Sequence, residues 1–265
     1  MPSQIIDDVQ RWRRDTLQNN LVWLASFGCT IEWHSHTISV FHPSLPEYRA
    51  WLFYGDSEDL KGRLPSFGGE APGSDGLPGI YVDQSCDTAA FHNSLTRVGF
   101  RRVATSVTYA GPMRPRRGKT LLRFRQAKAA ESDSWSAAYS AGFGRAGKEA
   151  ALDLERWRLY FQSGDAVRSW FLMLDGETIG ITQTCQAHNV VGLYSVAVLP
   201  PFRRQLGFRR VIQAAQSTLP FDEPIRSYFE VVRSPEHPNR NWRVLCGDRF
   251  DGVRTMSAYA HSRSA

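Results

Sequence analysis

The sequence predicts a mixed α/β protein, in which helices cover sheets that contain both parallel and antiparallel strands. Some segments repeat apolar residues with the period of a helix, and others alternate apolar and polar residues as strands do. The two kinds of segment are interleaved along the chain, an order typical of sheets packed against helices. The composition agrees, because 42% hydrophobic and 22% charged residues among 265 exclude a disordered chain or a fibre.

The predicted order of elements in residues 1–110 is α-β-β-β-β-α-β. A helix over 5–23 is indicated by the helical spacing of Ile5, Val9 and Trp12. A second helix is expected to begin after Asp87 as its N-cap and to end at Gly99. The predicted strands cover residues 29–33, 37–42, 48–54, 79–83 and 102–109.

The predicted order in the second half is β-α-α-β-β-β-α-β-α-β. Asp175-Gly176 is expected to form the tight turn of a hairpin, since Asp-Gly favours the backbone that such turns need. Ser132 or Asp133 is the expected N-cap of the first helix. The strands are predicted over 121–126, 167–174, 178–188, 190–198, 225–232 and 253–260. The helices are predicted over 132–143, 148–162, 208–219 and 241–247.

A linker is expected at 111–119, which holds two prolines, two glycines and four basic residues without an apolar period. It separates an N-terminal domain, 1–110, from a C-terminal domain, 120–265. A second glycine-rich and proline-rich stretch, 62–79, is interpreted as a surface loop and not as a boundary.

The positive charge lies in the second half of the chain. Residues 1–118 hold 12 basic and 12 acidic residues, so the whole net charge of +6 belongs to residues 119–265. Four arginines stand within eight positions: Arg203, Arg204, Arg209 and Arg210. An anionic partner would be attracted mainly to this half. An arginine run by itself is equally typical of a solvated helix face.

The remaining composition favours a cytoplasmic protein with no metal and no membrane span. The four cysteines form no CxxC pair and are interpreted as reduced thiols. The N-terminus carries acids where a signal peptide has an apolar core, and the longest apolar run, 190–202, is too short to span a bilayer. His34 and His36 have metal-compatible spacing, but no third ligand lies nearby except distant His42.

The most specific motif is residues 192–215, GLYSVAVLPPFRRQLGFRRVIQAA. An apolar strand leads into a turn rich in arginine and glycine, and a helix begins at once. Proteins bind pyrophosphate in this way, because the backbone N–H groups at a helix N-terminus point at the anion and arginines add charge-assisted hydrogen bonds. Glycine allows the backbone to approach the phosphate closely.

This motif resembles that of the GNAT superfamily of acyl-CoA-dependent N-acyltransferases, in which V-x-P-x-[YF]-R precedes the turn [RQ]-x-x-G-x-[GA]. The matching residues are Val198, Pro200, Phe202, Arg203, Arg204 and Gly207. The resemblance covers about 119–261. The end of the first half, AAFHNSLTRVGFRRVATSVTYAGPM, resembles the terminal helix, Gly-Phe turn and last strand of the same fold. It therefore implies a tandem arrangement of two GNAT-like units with splayed mixed sheets, of which the N-terminal copy is degenerate.

The resemblance implies a site for acetyl-CoA or another acyl-CoA. The backbone of Val196, Ala197 and Val198 would pair with the pantetheine arm as an added strand does. The N–H near Val196 would polarise the thioester carbonyl. The pyrophosphate would be wrapped by Arg203, Arg204, Gln205, Leu206, Gly207, Phe208 and Arg209.

The sequence departs from the family pattern at the turn and at the general acid. The second small residue expected after Gly207 is Arg209, or, in the other register, Leu206 replaces the first glycine. The tyrosine usual in the terminal helix is Leu245 here. The adjacent Cys246 is a candidate to protonate the leaving thiolate, with the alternative that it is a small buried hydrophobic residue.

Glu230 is the first candidate for the general base, because it lies on the strand predicted beside the strand over 190–198. Its alternative role is an ion pair with an arginine. His188 and Tyr194 are weaker candidates.

The predicted function is transfer of an acyl group from acyl-CoA to the amine of a small-molecule acceptor. Two alternatives keep the fold. In the first, the donor is an acyl carrier protein or an aminoacyl-tRNA; no other nucleic acid is expected as a partner. In the second, the protein is a non-catalytic module that binds CoA or a related ligand.

Overall fold

The computed structural model describes residues 2–34, 37–43, 45–53, 79–112, 121–163, 167–188, 190–204, 206, 210–211, 214–215, 226–233 and 251–261. The helices are α1 (Pro2–Ala25), α2 (Ala89–Arg97), α3 (Ser132–Phe143) and α4 (Lys148–Ser163), with 3-10 turns at Ala129–Glu131 and Pro200–Phe202. The first strands are β1 (Thr30–Trp33), β2 (Thr37–His42), β3 (Leu45–Phe53), β4 (Ile80–Asp83) and β5 (Phe100–Pro112). The others are β6 (Arg123–Gln126), β7 (Val167–Leu174), β8 (Glu177–Ala187), β9 (Val190–Val198), β10 (Arg226–Arg233) and β11 (Asp251–His261).

The chain divides into two compact units, each built from separate stretches of sequence. Unit 1 comprises Met1–Gly28, Ala110–Phe229 and Asn241–Asp251. Unit 2 comprises Cys29–Tyr109, Glu230–Arg240 and Gly252–Ala265. Helix α1 therefore belongs to the same unit as β6 to β9, and most of β11 belongs to the unit that contains β1 to β4.

Unit 1 contains the strand order β9-β8-β7-β6, with the first half of β10, as far as Phe229, next to β9. The pairs from β6 to β9 are antiparallel, whereas β9 and β10 are parallel. The hairpin between β7 and β8 turns at Asp175 and Gly176, whose φ angles of 49° and 86° are those of the predicted Asp-Gly turn. The sheet is mixed and carries helices, so the predicted fold class is confirmed.

One face of the unit 1 sheet is covered by α1, α3 and α4 through a cluster of aromatic rings. The ring of Phe27 lies 5.0 Å from that of Trp157, and the ring of Trp135 lies 4.3 Å from Trp157 in an edge-to-face arrangement. The other face buries an aliphatic cluster, to which Val196 and Val198 are packed. Its buried members are Leu122, Leu172, Ile179, Leu206, Val211 and Ala214.

The connection between α3 and α4 is held by the buried carboxylate of Asp153. Nε of Arg145 lies 2.8 Å from Oδ2 of Asp153, and a guanidinium nitrogen of Arg156 lies 3.2 Å from Oδ1. Ser140 donates a third contact of 3.2 Å. Burial raises the pKa of Asp153, and the two arginines oppose that shift by favouring the carboxylate. This network ties the end of α3 to the second turn of α4.

Unit 2 contains the strand order β1-β2-β3-β4-β11-β5, with β3 parallel to β4 and β4 antiparallel to β11. Helix α2 packs on this sheet through Phe91 and Leu95. The core of the unit is completed by Phe53, Ile80, Val82, Cys86, Phe100 and Tyr259.

Asp87 is not the N-cap of α2, so that prediction is wrong. The N-cap is Thr88, whose hydroxyl accepts a 3.2 Å hydrogen bond from the N–H of Phe91. The carboxylate of Asp87 accepts hydrogen bonds from the hydroxyls of Ser257 and Tyr259 on β11 instead. Both residues satisfy the local capping rule, and the contact with a distant strand decides between them.

The N-cap of α3 also differs from the prediction. It is Glu131, which ends a short 3-10 turn, and not Ser132 or Asp133. The carboxylate of Glu131 accepts the N–H of Lys128 at 2.9 Å, a contact that belongs to the preceding 3-10 turn.

The other element predictions agree with the structure within a few residues where it describes them. Strand β5 extends to Pro112, two residues into the predicted linker 111–119. The predicted helix over 241–247 and most of the loop over 62–79 lie outside the described residues. Of the predicted helix over 208–219, residues 210–211 and 214–215 are described and are helical. No helix in the described part of the chain is long and apolar enough to cross a membrane.

Candidate functional site

Strand β9 contains a β-bulge at Ser195 and Val196. Gln183 of β8 is in register with Tyr194 and Ile181 is in register with Ala197, so two residues of β9 oppose one residue of β8. Ser195 has a φ of 51°, a left-handed conformation that is uncommon outside glycine. A bulge leaves its extra residue outside the ladder, and such bulges are frequent next to active sites.

The edge of β9 that faces β10 is paired over only part of its length. The register with β10 runs from Val190 to Leu193, the partner of Phe229. On its other edge β9 stays paired with β8 as far as Val198, the partner of Gly180. The described register with β10 does not extend to residues 195–198. Free backbone groups on a strand edge can pair with an extended ligand.

The three predicted donor-binding residues of β9 present their side chains to alternate faces. Val196 and Val198 pack against the aliphatic cluster. Ala197 faces α3, where a Cβ on Gly142 would lie 2.7 Å from the Cβ of Ala197. Gly142 therefore lets α3 cross β9 at very short distance. These side-chain contacts anchor both faces of the strand at residues 196–198.

The arginine turn follows β9 directly, and Arg203 holds it in place. Its Nε donates to the carbonyl of Val198 at 3.0 Å, and a terminal nitrogen donates to the carbonyl of Gly142 at 2.6 Å. A cation at the last turn of α3 also complements the helix dipole. Arg203 thus links the end of β9 to the end of α3, a contact that sequence reasoning missed.

The other residues predicted to bind phosphate fall into three groups. Arg204 is exposed beside Arg203. Leu206 is 6% exposed and belongs to the aliphatic cluster, so its side chain points into the core. Gln205, Gly207, Phe208 and Arg209 lie outside the described residues.

Tyr194 lies beneath α1 and not in an open site. It is 7% exposed, and its hydroxyl donates to Oδ1 of Asn19 at 2.9 Å. The ring of Trp23 stacks on it with centroids 4.4 Å apart. A role for Tyr194 as a base would require this hydroxyl to leave Asn19.

Asn19 and Gln183 are buried polar residues that the sequence analysis did not select. The amide of Asn19 donates to the carbonyls of Cys185, Ala187 and Val190 at 2.9–3.1 Å. Oε1 of Gln183 accepts from Nε1 of Trp23 at 3.2 Å and from the hydroxyl of Ser195 at 3.1 Å. The available signal was a polar residue on the apolar face of a helix or inside a predicted central strand.

The candidate proton-transfer residues are placed only in part. Glu230 belongs to β10 and follows Phe229, the last residue in register with β9, but its side chain is not among those described. Cys246 and Leu245 lie outside the described residues. His188 is exposed in the turn before β9. Val190, which begins β9 after that turn, lies about 17 Å along the strand from Ser195 at about 3.3 Å per residue. The described residues contain no group of three or more metal-ligating side chains placed to hold an ion.

No protein-family model matches the sequence. No curated protein is significantly similar to it.

Solved structures do resemble it. A GCN5-related N-acetyltransferase from Kribbella flavida superposes with a TM-score of 0.58 at 12% identity, and 95% of each chain is covered. A GCN5-related N-acetyltransferase from Sphaerobacter thermophilus gives a TM-score of 0.55 at 12% identity, covering 86% of this chain and 81% of its own. A protein of unknown function from Staphylococcus epidermidis gives 0.62 at 11% identity, covering 87% and 93%. At such identities the comparison establishes a shared fold.

Proposed function

We propose that this protein is an N-acyltransferase of the GNAT superfamily, which transfers the acyl group of acetyl-CoA or another acyl-CoA to the amine of a small molecule. The observation that carries the proposal is the construction of β9. A bulge at Ser195 and Val196, an edge over 195–198 outside the described register with β10, and an arginine turn follow one another within ten residues. The shared fold of the acetyltransferases supports it.

The pantetheine arm would lie along residues 195–198, beyond the described register with β10. Its two amides are spaced like those of an extended peptide, and they can exchange hydrogen bonds with the backbone of Val196 and Val198 as an added strand does. The pyrophosphate would then reach the turn after Phe202, where Arg204 complements its charge and the start of the helix predicted over 208–219 would offer backbone N–H groups. Because Leu206 is turned into the core, its side chain does not compete with phosphate for that space.

Between heavy atoms, the reaction forms one C–N bond and breaks one C–S bond. The amine nitrogen attacks the thioester carbonyl, the new C–N bond forms, and the C–S bond then breaks to release the CoA thiolate. The backbone N–H near Val196 would stabilise the oxyanion. The nitrogen loses one proton to a base, for which we propose Glu230, and the thiolate gains one from Cys246 or water.

We also propose that the chain is a tandem of GNAT-like copies, with a degenerate copy in 1–110 and the working copy in 120–265. Support comes from unit 2, in which α2 ends before Gly99 at a φ of 87° and the buried Phe100 begins β5. This is the helix, Gly-Phe turn and strand on which the resemblance rests.

Thermal unfolding in the presence of acetyl-CoA, CoA and phosphopantetheine tests the donor. A ligand that binds only the native state adds about 2.7 kcal/mol at a concentration one hundred times its Kd, which is about 5–10 °C in Tm for a chain of this size. We expect acetyl-CoA and CoA to stabilise the protein. A shift with phosphopantetheine alone would favour a carrier-protein donor, and no shift with any of them would overturn the proposal.

A further inference from the structure

On the helix-covered face of the β9 bulge, Ser195 is less buried than its neighbours Tyr194 and Ala197. Tyr194, on one side, is 7% exposed and covered by the ring of Trp23. Ala197, on the other side, is 6% exposed and covered by α3 at Gly142. Ser195, between them, is only half-buried. A ligand that approaches the bulge from the helix-covered face would therefore meet the Ser195 side chain.

The hydrogen bonds of Gln183 determine what Ser195 can offer. An indole N–H is only a donor, so the bond from Nε1 of Trp23 identifies the facing atom of the Gln183 amide as its oxygen. The amide nitrogen points the other way and donates to Oγ of Ser169 at 3.0 Å. The same oxygen accepts the hydroxyl of Ser195 at 3.1 Å. The single hydrogen of Ser195 is thus used, which leaves the hydroxyl oxygen able to act only as an acceptor towards a ligand.

The backbone keeps that oxygen at the bulge. The φ of 51° at Ser195 is unfavourable for a residue with a Cβ, and such conformations persist where the surroundings impose them. Thr182 fixes the peptide that precedes Ser195, because its hydroxyl donates to the backbone carbonyl oxygen of Tyr194 at 3.2 Å. The acceptor oxygen of Ser195 is consequently held next to the backbone that would polarise the thioester.

We propose that Ser195 is a positioning residue for the acceptor, and that its Oγ accepts one N–H of a primary amine. This inference rests on the proposed function. A neutral primary amine has two hydrogens and one lone pair. One N–H bonds to Ser195, the other proton leaves to the base, and the lone pair is directed at the thioester carbonyl. Ser195 gives up no proton and forms no bond to the acyl group.

Acetyl transfer from acetyl-CoA to methylamine, tryptamine and spermidine tests the inference, with release of free thiol as the readout. We expect S195A and S195G to raise KM for the amine about tenfold, in line with loss of one hydrogen bond to a polar ligand. The Kd for acetyl-CoA by calorimetry should stay within about twofold. S134A, which removes an exposed hydroxyl from α3, should change neither value.

The two substitutions at Ser195 separate the hydroxyl from the backbone. Glycine tolerates a φ of 51° and alanine does not, although both lack Oγ. Equal defects therefore support the hydroxyl, whereas a defect in S195A alone would overturn the inference in favour of a backbone role. W23F, which keeps a ring on Tyr194 but removes the indole donor, should raise KM for the amine in the same direction.

Three further outcomes decide against the inference or its premise. A wild-type protein that binds acetyl-CoA but transfers to none of the three amines contradicts an amine site at Ser195. An acetylated Ser195 found by mass spectrometry after incubation with acetyl-CoA would make it a nucleophile instead. Absence of acetyl-CoA binding in the wild type would overturn the proposed function itself, and is recognised separately by calorimetry.

Discussion

The hydroxyl of Tyr194 donates a 2.9 Å hydrogen bond to Oδ1 of Asn19, which joins strand β9 to a helix 175 residues earlier in the chain. The amide nitrogen of Asn19 meanwhile donates to the carbonyls of two β8 residues and of the first residue of β9. One turn later on the same helix, Trp23 stacks on the Tyr194 ring. Helix α1 is thus an integral layer of unit 1, bound through a buried polar contact at the strand that carries the candidate site.

Substitution of Asn19 should destabilise unit 1. N19A leaves the Tyr194 hydroxyl and buried carbonyls without their partner, and each buried unsatisfied group costs about 1–3 kcal/mol. We expect N19A to lower the free energy of unfolding by about 2–4 kcal/mol in urea titrations. The neighbouring N20A, at a partly exposed position, is the control and should cost under about 1 kcal/mol. Equal stability of the two variants would show that the polar contact contributes little.

Y194F tests whether the Tyr194 hydroxyl serves the fold or the reaction. Its one hydrogen is donated to Asn19 in a buried environment, so we expect a loss of about 1–2 kcal/mol in unfolding free energy. Turnover in the acetyl-transfer assay should remain within about twofold of the wild type. A loss of a hundredfold or more with intact stability would instead assign Tyr194 to proton transfer.

Local patterns predicted the elements well, because each depends on residues close in sequence. Strand β9 has the bounds 190–198 in both the prediction and the structure. The bulge at Ser195 was not predicted, since YSVAV has the composition of a strand whether or not it contains an extra residue. The assignment of α1 to unit 1 was also missed, because Asn19 finds its carbonyl partners more than 160 residues away.

The N-cap of α2 is a second feature that neighbouring residues alone did not determine, because Asp87 and Thr88 compete for that position. Both are good N-cap residues by type, so the sequence near α2 does not choose between them. The choice is made by β11, which brings Ser257 and Tyr259 to the Asp87 carboxylate. A side chain whose partner lies on a remote strand cannot be assigned from its neighbours.

Because the thiol of Cys185 is buried, we expect the free energy of unfolding to fall at alkaline pH. Burial raises the pKa of its thiol to about 12, against about 8.5 in an unfolded chain. Above pH 8.5 the unfolded state loses a proton that the folded state keeps, so stability falls as pH rises towards 12. We expect the wild type to lose up to about 1.4 kcal/mol per pH unit more than C185A between pH 9 and 10. Parallel pH profiles of the two proteins would contradict the shift.

Arg203 and Arg204 are adjacent arginines with different expected roles. R203A removes bonds to the carbonyls of Val198 and Gly142, so we expect lower stability, by about 1–2 kcal/mol, together with weaker donor binding. R204A removes an exposed cation, so we expect unchanged stability and a Kd for acetyl-CoA at least about tenfold higher. Each variant serves as the control for the other. Unchanged affinity in R204A would mean that Arg204 is only part of a solvated helix start.

In the proposed reaction, Glu230 is the base that takes a proton from the amine, and Cys246 is a candidate acid for the leaving thiolate. The amine must lose a proton as its nitrogen is acylated, whereas a CoA thiol leaves readily as thiolate. Loss of the base should therefore cost more than loss of the acid, and each such group contributes about 10²–10⁴-fold. Glu230 directly follows Phe229, the last β10 residue in register with β9, and we propose it as the base for that reason. We expect E230Q to lower single-turnover acetyl transfer at least about tenfold more than C246A, measured at saturating acetyl-CoA from pH 6 to 9.

An inactive C246A variant together with a normally active E230Q variant would reverse the two roles. If neither substitution slows the reaction, transfer depends on positioning by β9 and Ser195, and the amine loses its proton to solvent.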